Sequence, residues 1–362
     1  MKPATLTLSA VLLGLGLGSV AACAEEEPPF ELTHETEHMR IGVADGQPLC
    51  GGDLAYLEQH VVRVEDLLST QMEGKVDVYL WRGASVGWND YCSADQAGCY
   101  RRDTHTIYTS QDAVGHELVH AVAIPLGKPS AMWSEGIAEA LDQHRTVLGA
   151  TPLLENFFRD DDVVDYASAG HFVRWAWEVY GAQAVRELLS DPRDPEVAFE
   201  AITGQTLAEA QAEYAAQAPW SFAVLETCQF GALTETTPGE WADDLELDCD
   251  NDQTLWGSSE LGMRRSFEVT SQGGFRVTSD ADRLFIQRCP DEDILARPEE
   301  EPGPEQGDVP ISTPSVPEGP GVLIDGQGAG QILELAPARY ELIIASNEAR
   351  VVSVAVRSET LP

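Results

Sequence analysis

In Gly115-His116-Glu117-Leu118-Val119-His120-Ala121 two histidines stand four residues apart. On an α-helix that spacing puts both imidazoles on one face, about 6 Å apart along the axis, so both point toward a single ion. Glu117 follows the first histidine and falls beside the ion, where a carboxylate takes a proton from a zinc-activated water. The neighbours fit the same helix: Asp112 is a candidate N-cap, Val114, Leu118 and Val122 form a buried stripe, and Pro125 ends it. A catalytic zinc needs a third protein ligand and one open position, so the fold must bring a further ligand to this helix.

The next helical stretch, Trp133-Ser134-Glu135-Gly136-Ile137-Ala138-Glu139-Ala140, offers that ligand. Glu135 lies fifteen residues after His120, beyond a turn at Pro125 to Pro129 that lets the second helix fold back antiparallel. Gly136 permits close helix contact. Glu139, one turn further along the same face, is placed to accept the free ring N–H of a ligating histidine and hold its tautomer. The competing reading makes the motif an accident of an amphipathic helix and leaves both acids on a solvated face.

The pair HELVHA and WSEGIAEAL resembles the gluzincin clan of zinc metallopeptidases, in which HExxH is completed by a glutamate in an EGxAE-like helix. Tyr166 to Gly181 and Phe199 to Tyr214 are similar to the helices that follow the active site in bacterial peptidase-MA-like families, so the likeness covers roughly residues 75 to 218. The resemblance implies Zn2+ held by His116, His120 and Glu135, with Glu117 as general base and proton shuttle. It implies a thermolysin-like catalytic domain of a small sheet plus a helical bundle, acting on a peptide or protein substrate. It also implies a downstream Tyr or His that stabilises the oxyanion, for which Tyr166 and His171 both stand as candidates.

Charge narrows the partners. With 22 Lys plus Arg against 61 Asp plus Glu, the formal charge is −39. Such a chain lacks the basic stripe that nucleic acid requires, and anionic headgroups repel it. Membrane contact is expected through a lipid anchor only. Lys2 is followed by an uncharged stretch from Pro3 to Ala24 with an apolar centre at Val11, Leu12, Leu13, Leu15 and Leu17, the pattern of a secretory signal peptide. Its end, Val20-Ala21-Ala22-Cys23, resembles the lipobox of bacterial lipoproteins, which implies lipidation of Cys23. Ala24 after that cysteine implies the outer membrane of a Gram-negative cell envelope. The other cysteines, Cys50, Cys92, Cys99, Cys228, Cys249 and Cys289, are an even set for disulfides in an oxidising compartment. They allow fifteen pairings, among which Cys92 and Cys99 are close enough to close a short loop.

The expected organisation is α+β: a signal peptide at 1–22, the lipidated cysteine with an acidic tether at 23–36, the metallopeptidase-like domain at 37–220, and a β-sandwich-like accessory domain at 221–362. The accessory domain carries a Pro- and acid-rich loop at 290–321. Helical spacing runs from Leu54 to Leu68, and Val76, Val78 and Leu80 alternate as a strand. Thr106 to Ser110 is read as an edge strand, open to an extended peptide or simply bordering the sheet. Further strands are expected at Phe267 to Val269, Phe275 to Val277, Leu284 to Ile286, Ile332 to Leu335, Tyr340 to Ile344 and Val351 to Val356.

Other motifs carry less. Gly83-Ala84-Ser85-Val86-Gly87 matches a GxSxG nucleophile elbow but leads into a loop rather than a helix. Asp248, Asp250 and Asp252 resemble the opening of a calcium loop, yet Gln253 occupies the glycine position. Gly326, Gly328 and Gly330 lack a phosphate-binding context. The chain thus reads as an exported zinc-dependent peptidase, or alternatively as a non-catalytic envelope lipoprotein that uses the peptidase fold as a binding or scaffolding module.

Overall fold

The computed structural model describes residues 28–44, 48–81, 87–93, 96–142, 146–147, 164–219, 221–222, 230–256, 260–289, 322–324 and 330–359. The signal and lipidation segment with Cys23, Cys228, most of the GxSxG stretch and the Pro- and acid-rich loop lie outside the described residues. The chain is mixed α+β, with one core in its N-terminal half and a second in its C-terminal half.

The first core is built on a sheet of β1 (His34–Glu35), β2 (Met39–Val43), β3 (Val76–Trp81), β4 (Gly98–Arg101) and β5 (Thr106–Ser110), in the order β1-β2-β3-β5-β4. The three central strands are parallel, and β1 and β4 run antiparallel at the edges. Alternation decides the faces. Val76, Val78 and Leu80 point into the helical core, whereas Tyr79 and Trp81 join Trp88 and Tyr108 in an aromatic cluster on the other side. Phe30 closes that cluster, its ring centroid 5.0 Å from Trp81 and 5.4 Å from Tyr79. Residues 28–36, expected to be tether, therefore begin the fold: their apolar side chains have a surface to cover, and β1 has a strand to pair with.

The expectation of an edge at Thr106 to Ser110 is also corrected. β5 is flanked by β3 and β4, and the edge strand on that side of the sheet is Gly98–Arg101. The Cys92–Cys99 disulfide closes the short loop before β4, and the turn at residues 102–105 sends the chain back to pair alongside it.

Helix α1 (Gly51–Leu68) crosses between β2 and β3, and α2 (Val114–Ala123), the HExxH helix, follows β5. Asp112 is not its N-cap. A single 3-10 turn, Gln111–Ala113, intervenes and leaves Ala113 at the cap position without a side-chain bond. After the Pro125 turn come α3 (Ala131–Leu141), α4 (Tyr166–Ser190), α5 (Pro195–Thr203) and α6 (Leu207–Gln217). Gly181, at φ +85°, breaks the long α4. The short strands β6 (Thr146–Val147) and β7 (Ser221–Phe222) pair with each other, and Phe222 is buried in the first core. The boundary expected at 220 therefore falls after residue 222, because this apolar side chain completes the helical core.

Two glycines set the α3/α4 crossing. A Cβ on Gly136 would meet Val173 Cγ2 at 2.6 Å and the Ala169 carbonyl oxygen at 3.0 Å, and one on Gly170 would meet Glu139 Cγ at 2.4 Å. The helices touch through these notches, which brings Glu135 and Glu139 against α2. Gly170→Ala should overpack the crossing and destabilise the protein by about 1–3 kcal/mol. Thermal unfolding of the variant checks this, and an unchanged Tm contradicts the close packing.

The C-terminal half is a sandwich of two antiparallel five-stranded sheets. One comprises β10 (Leu255–Trp256), β11 (Leu261–Val269), β16 (Ala338–Ser346), β13 (Arg283–Arg288) and β14 (Val322–Ile324), in that order. The other comprises β15 (Gln331–Leu335), β12 (Gly273–Ser279), β17 (Arg350–Glu359), β9 (Glu240–Leu247) and β8 (Glu235–Thr237). Phe267, Leu284, Leu342 and Ile344 from the first meet Leu247, Val277, Leu333, Val352 and Val356 from the second. The acids Asp248, Asp250 and Asp252 sit in the turn after β9, where the Asp248 carboxylate accepts from the Asp250 N–H at 3.0 Å.

The sandwich is joined to the first unit by the Cys50–Cys249 disulfide at the start of α1. The Asp53 carboxylate accepts from the Trp256 N–H at 3.0 Å, and the Gln111 amide donates to the Trp256 carbonyl at 2.8 Å. The Arg264 guanidinium stacks on Tyr56 and Phe230, at 5.7 and 5.2 Å from their centroids. Gln111 lies in the turn that opens α2, so the second unit braces the start of the helix that carries the motif.

Candidate metal centre

His116 and His120 point from one face of α2 toward Glu135 on α3. His116 Nε2 and His120 Nε2 are 3.2 Å apart, and Glu135 Oε2 is 3.2 Å from the first and 3.3 Å from the second. Among the described residues this is the one trio of His, Cys, Asp or Glu whose ligand atoms lie within 4.8 Å of one another. The triangle fits an ion. Metal–ligand bonds of about 2.0–2.1 Å at tetrahedral angles separate neighbouring ligand atoms by about 3.4 Å, close to all three sides. Two imidazole nitrogens and a carboxylate oxygen offer a donor set that zinc accepts, and on one side the triangle opens to the cleft.

The surrounding groups orient this set. Glu139 Oε2 lies 3.5 Å from His116 Nδ1, the position expected of a carboxylate that orients a ligating histidine. His60, fully buried on α1, has Nε2 at 3.1 Å from the carbonyl oxygen of Gly115 and ties α1 to the residue before His116.

Electrostatics show how strongly the cage attracts positive charge. Burial alone would depress the His116 imidazole, but its bonds to Glu135 and Glu139 and the nearby carboxylate charges outweigh burial and hold it up at about 10. Burial would raise the Glu135 carboxyl, and the two imidazoles pull it down to about 2. A proton held among these groups carries the positive charge that a cation would bring, so protons would compete with any metal at this position. Glu117 is 6% exposed, and burial pushes its carboxyl up, against the opposing pull of His120 and His116. It sits beneath the edge strand: the Tyr100 backbone N–H bonds to it, and a Cβ on Gly98 would stand 3.1 Å from its Oε1.

A cleft of about 750 Å³ runs along α2 between β4 and α3 and contains His116, Glu117, His120 and Glu135. Tyr166 lines it with its ring centroid 5.7 Å from that of His116. His171 is not there. It is fully buried, with Nδ1 2.7 Å from the Tyr214 hydroxyl and its ring against Phe222, so it packs the helical core. The amphipathic pattern of α4 gives these two residues equal claims, and only the α3/α4 packing separates them. Sequence reasoning missed β4 as the wall above Glu117, as well as His60, Arg102 and Lys128. A four-residue strand carries too little alternation to be seen, although Gly98 directly before Cys99 was a usable signal.

Burial holds the His171 imidazole down at about 4, with the Pro219 carbonyl opposing. The folded protein therefore keeps it neutral where the unfolded chain, near pKa 6.5, takes a proton. The resulting stability is complete above pH 6.5 and is lost as pH falls toward 4, by up to about 3 kcal/mol. Urea midpoints at pH 7 and 4.5 should fall less steeply for His171→Gln than for the native chain, and equal slopes contradict this assignment.

No protein-family model matches the chain, and no curated protein sequence matches it.

Proposed function

We propose that the protein is a zinc-dependent peptidase with a thermolysin-like catalytic unit, exported and anchored by a lipid on Cys23. The observation that carries this reading is the His116, His120 and Glu135 triangle, with sides of 3.2, 3.2 and 3.3 Å, beside a buried carboxylate in an open cleft. His116, His120 and Glu135 would hold the zinc ion, which would supply a lowered water pKa and a Lewis acid for the substrate carbonyl.

The chain's own groups supply the rest. Glu117 accepts the proton from the attacking water and delivers it to the leaving amine; its raised carboxyl pKa suits a group that must hold a proton between the two transfers. Glu139 keeps His116 in one tautomer. Tyr166, on the cleft side of His116, donates from its hydroxyl to the oxygen on which negative charge develops. The outer edge of β4 offers backbone groups that pair with an extended chain, which favours polypeptides over small esters. The Cys50–Cys249 and Cys92–Cys99 disulfides support an oxidising compartment.

The test pairs metal analysis of the purified protein with digestion of a peptide library, with and without chelator. Cleavage that chelator stops and zinc restores is the expected result. Bound zinc without cleavage of any peptide points instead to a binding module.

A further inference from the structure

In a chain with 61 acidic residues against 22 Lys plus Arg, a cation without a carboxylate neighbour calls for a physical reason. One end of the cleft holds two. Arg102 follows β4 and Lys128 follows Gly127 after α2, and both line the cavity that contains the metal triangle. The Arg102 Nη1 donates to the Gly127 carbonyl at 3.4 Å, which holds the guanidinium against the backbone of the residue before Lys128. The adjacent Arg101 has Asp103 at 3.9 Å, whereas among the described residues neither Arg102 nor Lys128 has a carboxylate within 4.0 Å. Both cations line one cavity, where like charges repel each other. The opposite end of the cleft carries Asp112, so the groove is polarised along α2 and along β4.

We propose that Arg102 and Lys128 form an anion subsite that binds a carboxylate of the substrate, either an acidic side chain or the C-terminus of a chain. This inference rests on the peptidase reading of the same cleft. A guanidinium presents a fork of N–H donors that matches a carboxylate, and a neighbouring ammonium adds a point charge. An otherwise acidic surface repels acidic peptides, so a local positive field at the cleft mouth turns the entering substrate in one direction.

The test measures binding, so turnover is not required. Zinc-loaded Glu117→Gln protein is titrated calorimetrically with an alanine-rich octapeptide bearing glutamates, with its glutamine twin, and with C-terminally amidated forms of both. The carboxylate forms should bind about fivefold or more tightly than the neutral amidated twin, with the difference shrinking in high salt. Arg102→Gln combined with Lys128→Gln should abolish the difference. Comparing the free and amidated forms shows whether side chain or terminus is the source. Equal binding of all four peptides, no binding of any, or a preference that survives the double substitution overturns the subsite. Library digestion by the native protein reports separately on hydrolysis: a carboxylate preference without cleavage fails the peptidase reading alone, and cleavage without preference fails the subsite alone.

Discussion

Glu117→Gln should abolish measurable peptide hydrolysis while zinc remains at full stoichiometry. Glutamine has nearly the same volume, and Glu117 supplies none of the three converging ligand atoms, so the cage of His116, His120 and Glu135 stays intact. On the proposed mechanism, what disappears is the group that takes and returns a proton, a contribution of about 10²–10⁴ in rate. The Glu117 position is buried, and the Tyr100 N–H that bonds to the carboxylate can equally bond to the amide oxygen, so the variant should fold. Loss of cleavage with native circular dichroism and unchanged metal content is the expected outcome. Turnover within about tenfold of the native value would remove Glu117 from the mechanism.

The site was more legible than the frame around it, for a physical reason. His116, Glu117 and His120 lie within one helix, where geometry depends only on sequence spacing, and Glu135 follows after a short turn, so few arrangements of α2 and α3 are open. Gly136 marked a close helix contact but not its partner, which is α4 through Val173 and Ala169. The strands expected in the C-terminal half were found because Val, Ile, Leu and Phe mark their inner faces, although β11 and β16 run longer than expected. β9 was hidden. Its sequence Glu-Trp-Ala-Asp-Asp-Leu-Glu-Leu buries Trp241, Leu245 and Leu247 but fills the remaining positions with four acids and an alanine, which disfavour strands, so only pairing with β17 reveals it. The N-cap failed differently. Asp112 had suitable chemistry, but the 3-10 turn that carries Gln111 toward Trp256 shifts the helix start to Val114, a consequence of docking against the sandwich. Long-range contacts likewise decided the role of Phe30, the order of the sheet and the separation of Tyr166 from His171.

His116→Ala should remove the metal. The variant leaves two ligand atoms, His120 Nε2 and Glu135 Oε2, 3.3 Å apart, short of the three protein ligands that a catalytic zinc needs. The effect reaches beyond the missing bond. Glu139 loses the ring nitrogen 3.5 Å away, Glu135 loses one of the two imidazoles that pull its carboxyl down, and Glu117, which burial pushes up, loses one of the imidazoles that oppose that push. The native protein should gain stability on zinc binding by mass action, up to about 4 kcal/mol when zinc exceeds its dissociation constant a thousandfold, whereas His116→Ala should show no such gain. Glu139→Gln separates holding the metal from orienting its ligand: zinc should still bind, about 10–100-fold more weakly, with all three ligand atoms present. Metal analysis and melting curves with and without zinc measure each case. Full zinc occupancy in His116→Ala would mean that the ion rests on other groups, and the α2/α3 crossing would then need another explanation for drawing two imidazoles and a carboxylate to one point.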